Sequence, residues 1–532
     1  MSLPTVSALV SSMTTRIDRR RIKREVRQFF QYVMFSHKWE ENEPLFQQIM
    51  QMAVYDFDNS PTHEKLKRFC KMVQDAGFRW AWSDTCCINK DDNFVLLEAL
   101  VAMFEWYRGA AMVFVFLRGV RLSGRIGDLV KSLWNTRAWT LQEYIAAKVV
   151  RFYTEDWVPY LNLDIPNHKE SPEIIQEMER ATGVSVQDLA SLRPGLNSIR
   201  EKLCLASSRE TTLVEDAAYS LLGIFSVSGI PTIYGEGEKA LGRLLAHILT
   251  VSADTSILAW TGQSGGHNSC LPARITVFTR SATPHTPQPI EDGEMETKII
   301  ELRSSLDLDL AMKLYDRLND LSAPWFAASR MKLPCIAFKL PPVSLYRARL
   351  GRVFRVDTPV FGMVEIKTKL DLARSKSLYL IHPWLDVLLD REETQIGEFV
   401  EAEEAEDSVA SLQETDDEDD PDAERETNSD EGEDDSDENG EEDSPPLRER
   451  TSPSPVASVD RAPMDKETRA LRLIARLRQP FGALLLSVAS RRRRAVNVVY
   501  KRVAADSQIT VQLQGNVPLS DILDNVRILD VL

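Results

Sequence analysis

Two periodicities alternate along the first 160 residues. Short apolar runs of strand length occur in "FFQYVMFS", "RWAWSDTCCI", "AAMVFVFL" and "KVVRFYT". Between them, apolar residues recur every three or four positions. "HEKLKRFCKMVQDAGF" carries Leu66, Phe69, Cys70 and Val73 on one stripe and stops at Gly77. "DDNFVLLEALVAMFEWYRG" carries Leu97, Leu100, Val101, Phe104 and Tyr107, opens on two Asp and closes at Gly109. Residues 126–146 read as helix with a break near Asn135. Strands alternating with helices of this length predict βαβ units with right-handed crossovers. The expected result is an α/β core, residues 29–160, with an open parallel sheet and helices on both faces.

The pattern then changes. Residues 161–262 read as a helical extension, with stripes at Ala217, Leu221 and Ile224 and at Leu241, Leu244, Leu245, Ile248 and Leu249. Gly, Ser, Pro and Thr dominate the next stretch, so residues 263–295 read as a linker. Strand-like runs follow: "TKIIELRS", "CIAFKL", "YRARLGRVFRV", "GMVEIKTKL" and "SLYLIH", and later "FGALLLSVAS", "AVNVVYKRV" and "QITVQLQ". Residues 296–395 and 466–532 are expected to form one separate β-rich domain. The intervening 396–465 is expected to be a disordered acidic and Ser/Pro-rich insert, since loop closure costs little extra with length.

Charge sharpens this division. The 532-residue chain carries −16 overall, yet residues 398–443 hold 25 Asp and Glu against the single Arg425. The remainder is therefore +8, mildly basic. The basic lead-in, residues 1–28, places its Arg/Lys cluster after a weak apolar stretch, the reverse of a secretory signal. No apolar run reaches the length of about 20 residues that a membrane helix needs. An intracellular, cytoplasmic protein is expected, without membrane attachment and with nucleic acid an improbable partner. The Arg491–Arg494 run reads as a solvated hairpin turn, with nucleic-acid binding and transient pairing to the acidic tract as the other readings. Six cysteines are widely spaced without a CxxC pair, which argues against a zinc site or a disulfide scaffold. No metal is expected.

Open α/β sheets bind ligands beyond the carboxyl ends of their strands. Ser36, His37 and Trp39 follow the first strand, Asp84, Thr85, Cys86 and Cys87 end the second, and Glu143 lies on the helix before the fourth. Two readings of Glu143 stand. A carboxylate beside tryptophans can have a raised pKa and act as a base. It can equally be a helix-surface residue paired with Lys148 or Arg137. Cys86 and Cys87 with His37 suggest a thiol nucleophile, but adjacent strand residues point to opposite faces, and buried packing is the simpler account. An Asp84–His37 pair suits either. "YGEGEKALG" is a relaxed GxGxxA whose flanks lack the strand and acid of a dinucleotide site, so a Gly-rich turn is preferred.

Several ordered blocks resemble the fungal HET (heterokaryon incompatibility) domain family over roughly residues 30–260. They are "YVMFSHKWEENEPLFQQI", "WSDTCCINKDDN", "MFEWYRGAAMVFVFL", "RAWTLQEYIAAKVVRFY", "SSRETTLVEDAAYSLLGIF" and "YGEGEKAL". Lys38, Glu40 and Ser83 depart from the usual pattern. The resemblance implies fungal non-self recognition leading to programmed cell death, and a fold similar to TIR domains. "RAWTLQEY" looks like the TIR block whose Glu cleaves the nicotinamide–ribose bond of NAD. By that likeness Glu143 is the candidate catalytic residue. Ser36, His37, Trp39, Asp84, Arg137 and Trp139 form the candidate ligand-contacting set. NAD is then a substrate and no cofactor is required. The alternative is a non-enzymatic assembly module acting through protein partners or self-association.

Overall fold

The computed structural model describes residues 19–278, 290–384, 464–490 and 498–532, apart from 123, 183, 328, 343, 349–350 and 373–376. Residues 385–463, which hold almost all of the expected acidic insert, lie outside the described residues, as does the Arg491–Arg494 run. The basic lead-in is described only from its helix α1 (Arg19–Phe30) onward.

Four strands, β1 (Tyr32–His37), β2 (Trp80–Ser83), β3 (Met112–Leu117) and β4 (Val150–Thr154), form one sheet in the order β2–β1–β3–β4. Every pairing is parallel. Strand side chains alternate between faces, and the helices cover both. Val33 and Phe35 meet Leu66, Phe69 and Val73 of α2 (Pro61–Asp75). On the opposite face Met34 lies in one core with Met103, Phe104 and Tyr107 of α3 (Asn93–Gly109) and Leu141 and Ile145 of α4 (Trp139–Ala146). Local signals start these helices where the sequence suggests. Pro61 opens α2. The Asp92 carboxylate caps α3 by accepting from the Phe94 and Val95 amides at 2.9 and 3.3 Å.

The helical extension continues that core through α5 (Ile199–Ser207) and α6 (Lys239–Ser252). Gly223 shows how close the packing is. A Cβ there would lie 2.3 Å from the Cβ of Phe104, so the "LLGIF" block needs glycine for contact with α3.

Three features of the C-terminal half differ from the pattern reading. "TKIIELRS" is helical and lies within α7 (Asp292–Ser305). Its β-branched residues favour a strand locally, but Met295, Ile299 and Leu302 fall on one helical stripe and are buried. Tertiary packing decides here over propensity. Second, residues 263–278 are packed rather than extended across the surface: Cys270, Leu271 and Phe278 are fully buried.

Third, the β-rich part is not physically separate. Strands β5 (Trp325–Ala327), β6 (Arg330–Lys339), β10 (Leu378–Pro383), β11 (Phe481–Ser490), β12 (Val499–Arg502), β13 (Ile509–Val511) and β14 (Val526–Val531) form a seven-stranded sheet. A three-stranded sheet of β7 (Ser344–Ala348), β8 (Gly351–Thr358) and β9 (Gly362–Lys367) adjoins it in sequence. Because β6 pairs with both β14 and β10, the ring β6–β10–β11–β12–β14 closes on itself. Ile336, Phe338, Leu380 and Leu485 share a core with α7, α8 (Leu308–Asn319) and α9 (Lys466–Leu477). The alternate residues Leu333, Cys335, Ala337, Leu484 and Leu486 join the N-terminal core instead.

One cation clamps this junction. Arg502 of β12 is buried with its guanidinium 3.7 Å from the Trp260 ring centroid. It donates to the carbonyls of Leu258 (3.0 Å), Trp260 (2.7 Å) and Cys270 (3.3 Å). Nearby, the Asn268 amide donates to the Val531 carbonyl at 3.0 Å. No helix among the described residues is long and apolar enough to cross a membrane. Arg502→Met removes a charged donor from three buried carbonyls, two of which keep a Trp260 donor (Leu258 from its amide, Cys270 from its indole). The change is expected to cost on the order of 3 kcal/mol in urea unfolding of the full chain. A loss below about 1 kcal/mol would show that the clamp does not hold the two parts together.

Candidate functional site

The end of β1 splits its polar residues between the two faces of the sheet. Ser36 turns toward α3 and α4, and His37 turns toward α2. The Ser36 hydroxyl donates to the Glu143 carboxylate and accepts from the indole N–H of Trp134 at 2.6 Å. Trp134, Ser36 and Glu143 are almost completely buried, Glu143 being 3% exposed. Tyr107 brings a second hydroxyl to the carboxylate, and this hydroxyl also lies 3.3 Å from the Phe35 carbonyl. Burial, with Asp84 nearby, pushes the Glu143 pKa up to about 7, against the opposing pull of Ser36, Arg137 and Tyr107. The carboxyl is therefore poised to exchange a proton near neutral pH.

The start of α4, which carries Glu143, is anchored by a residue far away in sequence. Arg209 is buried and donates to the Arg137 carbonyl (2.9 Å), the Thr140 hydroxyl (2.8 Å) and the Asn135 amide oxygen (3.1 Å). Backbone bonds beside it, from Ala138 N to the Glu210 carbonyl and from Glu210 N to the Thr136 carbonyl, join the two segments. The "SSRETT" and "RAWTLQE" blocks are thus one unit in space.

His37 serves differently from Ser36. Its ring stacks on Phe35 at 4.3 Å and lies 3.5 Å from Glu43. Glu43 forms an ion pair with Lys65, which lies 2.9 Å from Glu40, and Glu40 pairs with Arg118. Burial, reinforced by Lys65, lowers the His37 pKa and keeps the ring neutral. Its backbone carbonyl, however, accepts from Arg137 at 2.8 Å.

Asp84, Trp39 and Arg137 meet at the open end of the sheet. The Trp39 indole donates to Asp84 Oδ2 at 2.7 Å, so Asp84 binds Trp39 and not His37. Lys90 lies 3.5 Å and Arg137 5.5 Å from the Trp39 ring centroid. Trp139 goes elsewhere: it hydrogen-bonds Asp216, which also accepts from the Tyr234 hydroxyl at 2.9 Å.

Other readings change on this geometry. Glu143 is not a surface partner of Lys148 or Arg137, because its carboxylate is buried against Ser36. Cys86 and Cys87 lie in the turn after β2, not within the strand. The Cys86 thiol is buried and held well above its usual pKa, and the His37 ring faces Glu43, so no thiol–imidazole pair is built. The "YGEG" glycines form a turn with positive φ at Gly235 and Gly237. Their amides both donate to the Glu215 carboxylate at 2.8 Å, which occupies the donors a phosphate would need. Among the described residues no cluster of three His, Cys, Asp or Glu side chains is placed to hold a metal.

Trp134, Arg209 and Lys90 were not evident from sequence pattern, and Tyr107 was marked only as part of the apolar stripe of α3. Trp134 immediately precedes the "NTRAWTLQEY" segment, and a buried indole N–H needs an acceptor, which is the one available signal. An isolated Arg such as Arg209 reads as a surface residue until the fold buries it.

Residues 32–124 match the family described as heterokaryon incompatibility protein (HET). Over 227 residues the chain is 34% identical to vegetative incompatibility protein HET-E-1 of Podospora anserina. That alignment covers 40% of this chain and 16% of the relative, so the chain spans a small part of that protein's length. No solved structure matches the chain significantly.

The Glu143 environment makes stability depend on pH. Below about pH 4.5 the carboxyl is protonated in both folded and unfolded chains. Between 4.5 and about 7 only the unfolded chain ionises, so this group's contribution to stability falls as pH rises. Above that window the penalty is on the order of 3 kcal/mol. Glu143→Gln keeps an acceptor for Ser36 without the charge. Relative to wild type, it is expected to gain about 3 kcal/mol in chemical denaturation between pH 4.5 and pH 8. An equal pH response of the two proteins would show that the carboxyl ionises as freely folded as unfolded.

Proposed function

The chain carries a HET-family domain, and on that premise we propose a role in fungal non-self recognition, with Glu143 as the catalytic carboxylate of an NAD-cleaving site that promotes cell death. The observation that carries this reading is the buried Trp134–Ser36–Glu143 hydrogen-bond chain at the carboxyl end of a parallel sheet. The order β2–β1–β3–β4 is that of a doubly wound sheet, and such sheets bind ligands at this end. A TIR-like ancestry of the fold belongs to the same proposal.

The chemistry is hydrolysis of the bond between nicotinamide and ribose. As that bond breaks, its electron pair leaves with nicotinamide, and positive charge develops on the ribose carbon and ring oxygen. The Glu143 carboxylate stabilises this charge. Water then adds its oxygen to the ribose carbon and gives a proton to Glu143, leaving ADP-ribose. Ser36 is a positioning residue, since its hydroxyl orients Glu143. With a pKa of about 7, half of the carboxyl groups are ionised at neutral pH. Activity is therefore expected to rise with pH through that value and level off above it.

A second reading has its own observation. β2 is an edge strand, and its first residue, Trp80 (47% exposed), forms an aromatic surface with Phe29 (44%) and Phe30 (57%) of α1. Such an edge suits assembly through protein contacts without chemistry. The two readings separate in one experiment. The purified wild-type chain should consume NAD, and its expression should lower cellular NAD. Glu143→Gln should slow turnover by about 100-fold or more while remaining folded. Toxicity of the wild type with NAD unchanged would eliminate the enzymatic reading in favour of assembly.

A further inference from the structure

The open end of the sheet holds two cations on one aromatic ring. Lys90 lies 3.5 Å and Arg137 5.5 Å from the Trp39 centroid. Trp39 cannot swing away freely, because Asp84 Oδ2 holds its indole N–H at 2.7 Å. Among the described residues, the hydrogen bonds of both cations run to backbone carbonyls: Lys90 to Thr85 at 3.3 Å, Arg137 to His37 at 2.8 Å. The nearby acids are already engaged, Asp84 by Trp39 and Glu43 by Lys65. Lys90 is half-buried: burial works most against its charge, Asp84 and Glu43 support it, and Arg137 repels it. Neither cation is hydrogen-bonded to a carboxylate among the described residues, so donors that now meet only backbone carbonyls are available to an anion from outside. A planar guanidinium fork beside an ammonium is the donor set that suits phosphate oxygens.

Asp84 adds a second feature. Its Oδ1 is buried and has no hydrogen-bond partner. It is an acceptor suited to a hydroxyl, and Asp84 is close enough to influence both Lys90 and Glu143. The cluster therefore lines up a cationic pair, an acceptor for a hydroxyl, and the candidate catalytic carboxyl.

We propose that Lys90, Arg137 and Trp39 form the phosphate subsite of a sugar-diphosphate ligand, with Asp84 Oδ1 accepting a sugar hydroxyl. This deepens the Glu143 reading and rests on it for placing the scissile bond at that carboxyl. Binding itself requires no turnover. Lys90 is the added element, for no local pattern in "CCINKDDN" marks it.

The test is calorimetric titration of the full chain with three probes: ADP-ribose, inorganic pyrophosphate and adenosine. ADP-ribose and pyrophosphate are expected to bind, more weakly at high salt. Lys90→Gln and Arg137→Gln are each expected to weaken ADP-ribose by about tenfold or more. Arg137→Lys should show a smaller loss than Arg137→Gln, and Lys148→Gln, an exposed change elsewhere, should leave the affinity unchanged. Thermal unfolding confirms that each variant is folded, and Lys90→Gln serves if Arg137→Gln is not. Equal affinity of wild type and folded Lys90→Gln for ADP-ribose would overturn the subsite, as would binding of adenosine alone. NAD cleavage with an unchanged KM in both variants sinks the subsite and leaves the catalytic reading. Phosphate-dependent binding lost in the variants, with no NAD cleavage by wild type, does the reverse.

Discussion

Removing the Glu143 carboxyl from water is the constraint on which the site depends. A buried carboxyl must find donors inside the protein or stay neutral. Here Ser36 and Tyr107 supply hydroxyls, from β1 and α3 respectively. Those donors reach Glu143 only if β1 pairs in parallel with β3 and if α3 and α4 cover the same face of the sheet. Trp134 completes the arrangement by donating to Ser36, so the serine hydrogen turns toward the carboxylate. The hydrogen-bond chain and the sheet geometry are in this sense one requirement. Desolvation then raises the pKa, which makes the same group useful as a base near neutral pH.

Strand alternation explains why neighbouring polar residues have different tasks. Ser36 and His37 are adjacent, yet one joins the Glu143 chain and the other the Glu43–Lys65–Glu40–Arg118 network. The second network is internally matched in charge and buried in part, which suits it to fixing the loop after β1. His37 contributes to the first side only through its carbonyl, which holds Arg137 in place. Arg137 in turn reaches the Trp39 ring. The cationic end of the sheet is thus tied to the buried chain through backbone, not through the imidazole.

Long-range anchors bring distant blocks together. Arg209 organises the turn before α4, and Glu215 closes the "YGEG" turn by occupying its amides. Arg502 does the equivalent at the junction with the C-terminal sheet, where one layer of strand residues completes the N-terminal core. In each case a charged side chain is buried against several oxygen or amide partners, which gives geometric specificity beyond what apolar packing supplies.

Local pattern was enough for the parallel sheet, its covering helices and their stops, because strand and helix periods are written in nearest-neighbour spacing. It also marked Ser36, Asp84 and Glu143 as polar groups near strand ends, since topology alone sends those ends to one edge. It misjudged "TKIIELRS", where β-branched residues outweighed a helical stripe that only packing made decisive. It was silent on Trp134, Arg209, Lys90 and Arg502, because their partners lie tens to hundreds of residues away. Whether Glu143 was a surface ion pair or a buried carboxyl was a question of desolvation, and desolvation is a property of the assembled core. The sequence by itself determined which groups were available at the sheet's edge; the tertiary structure decided which of them left water, and with that their protonation.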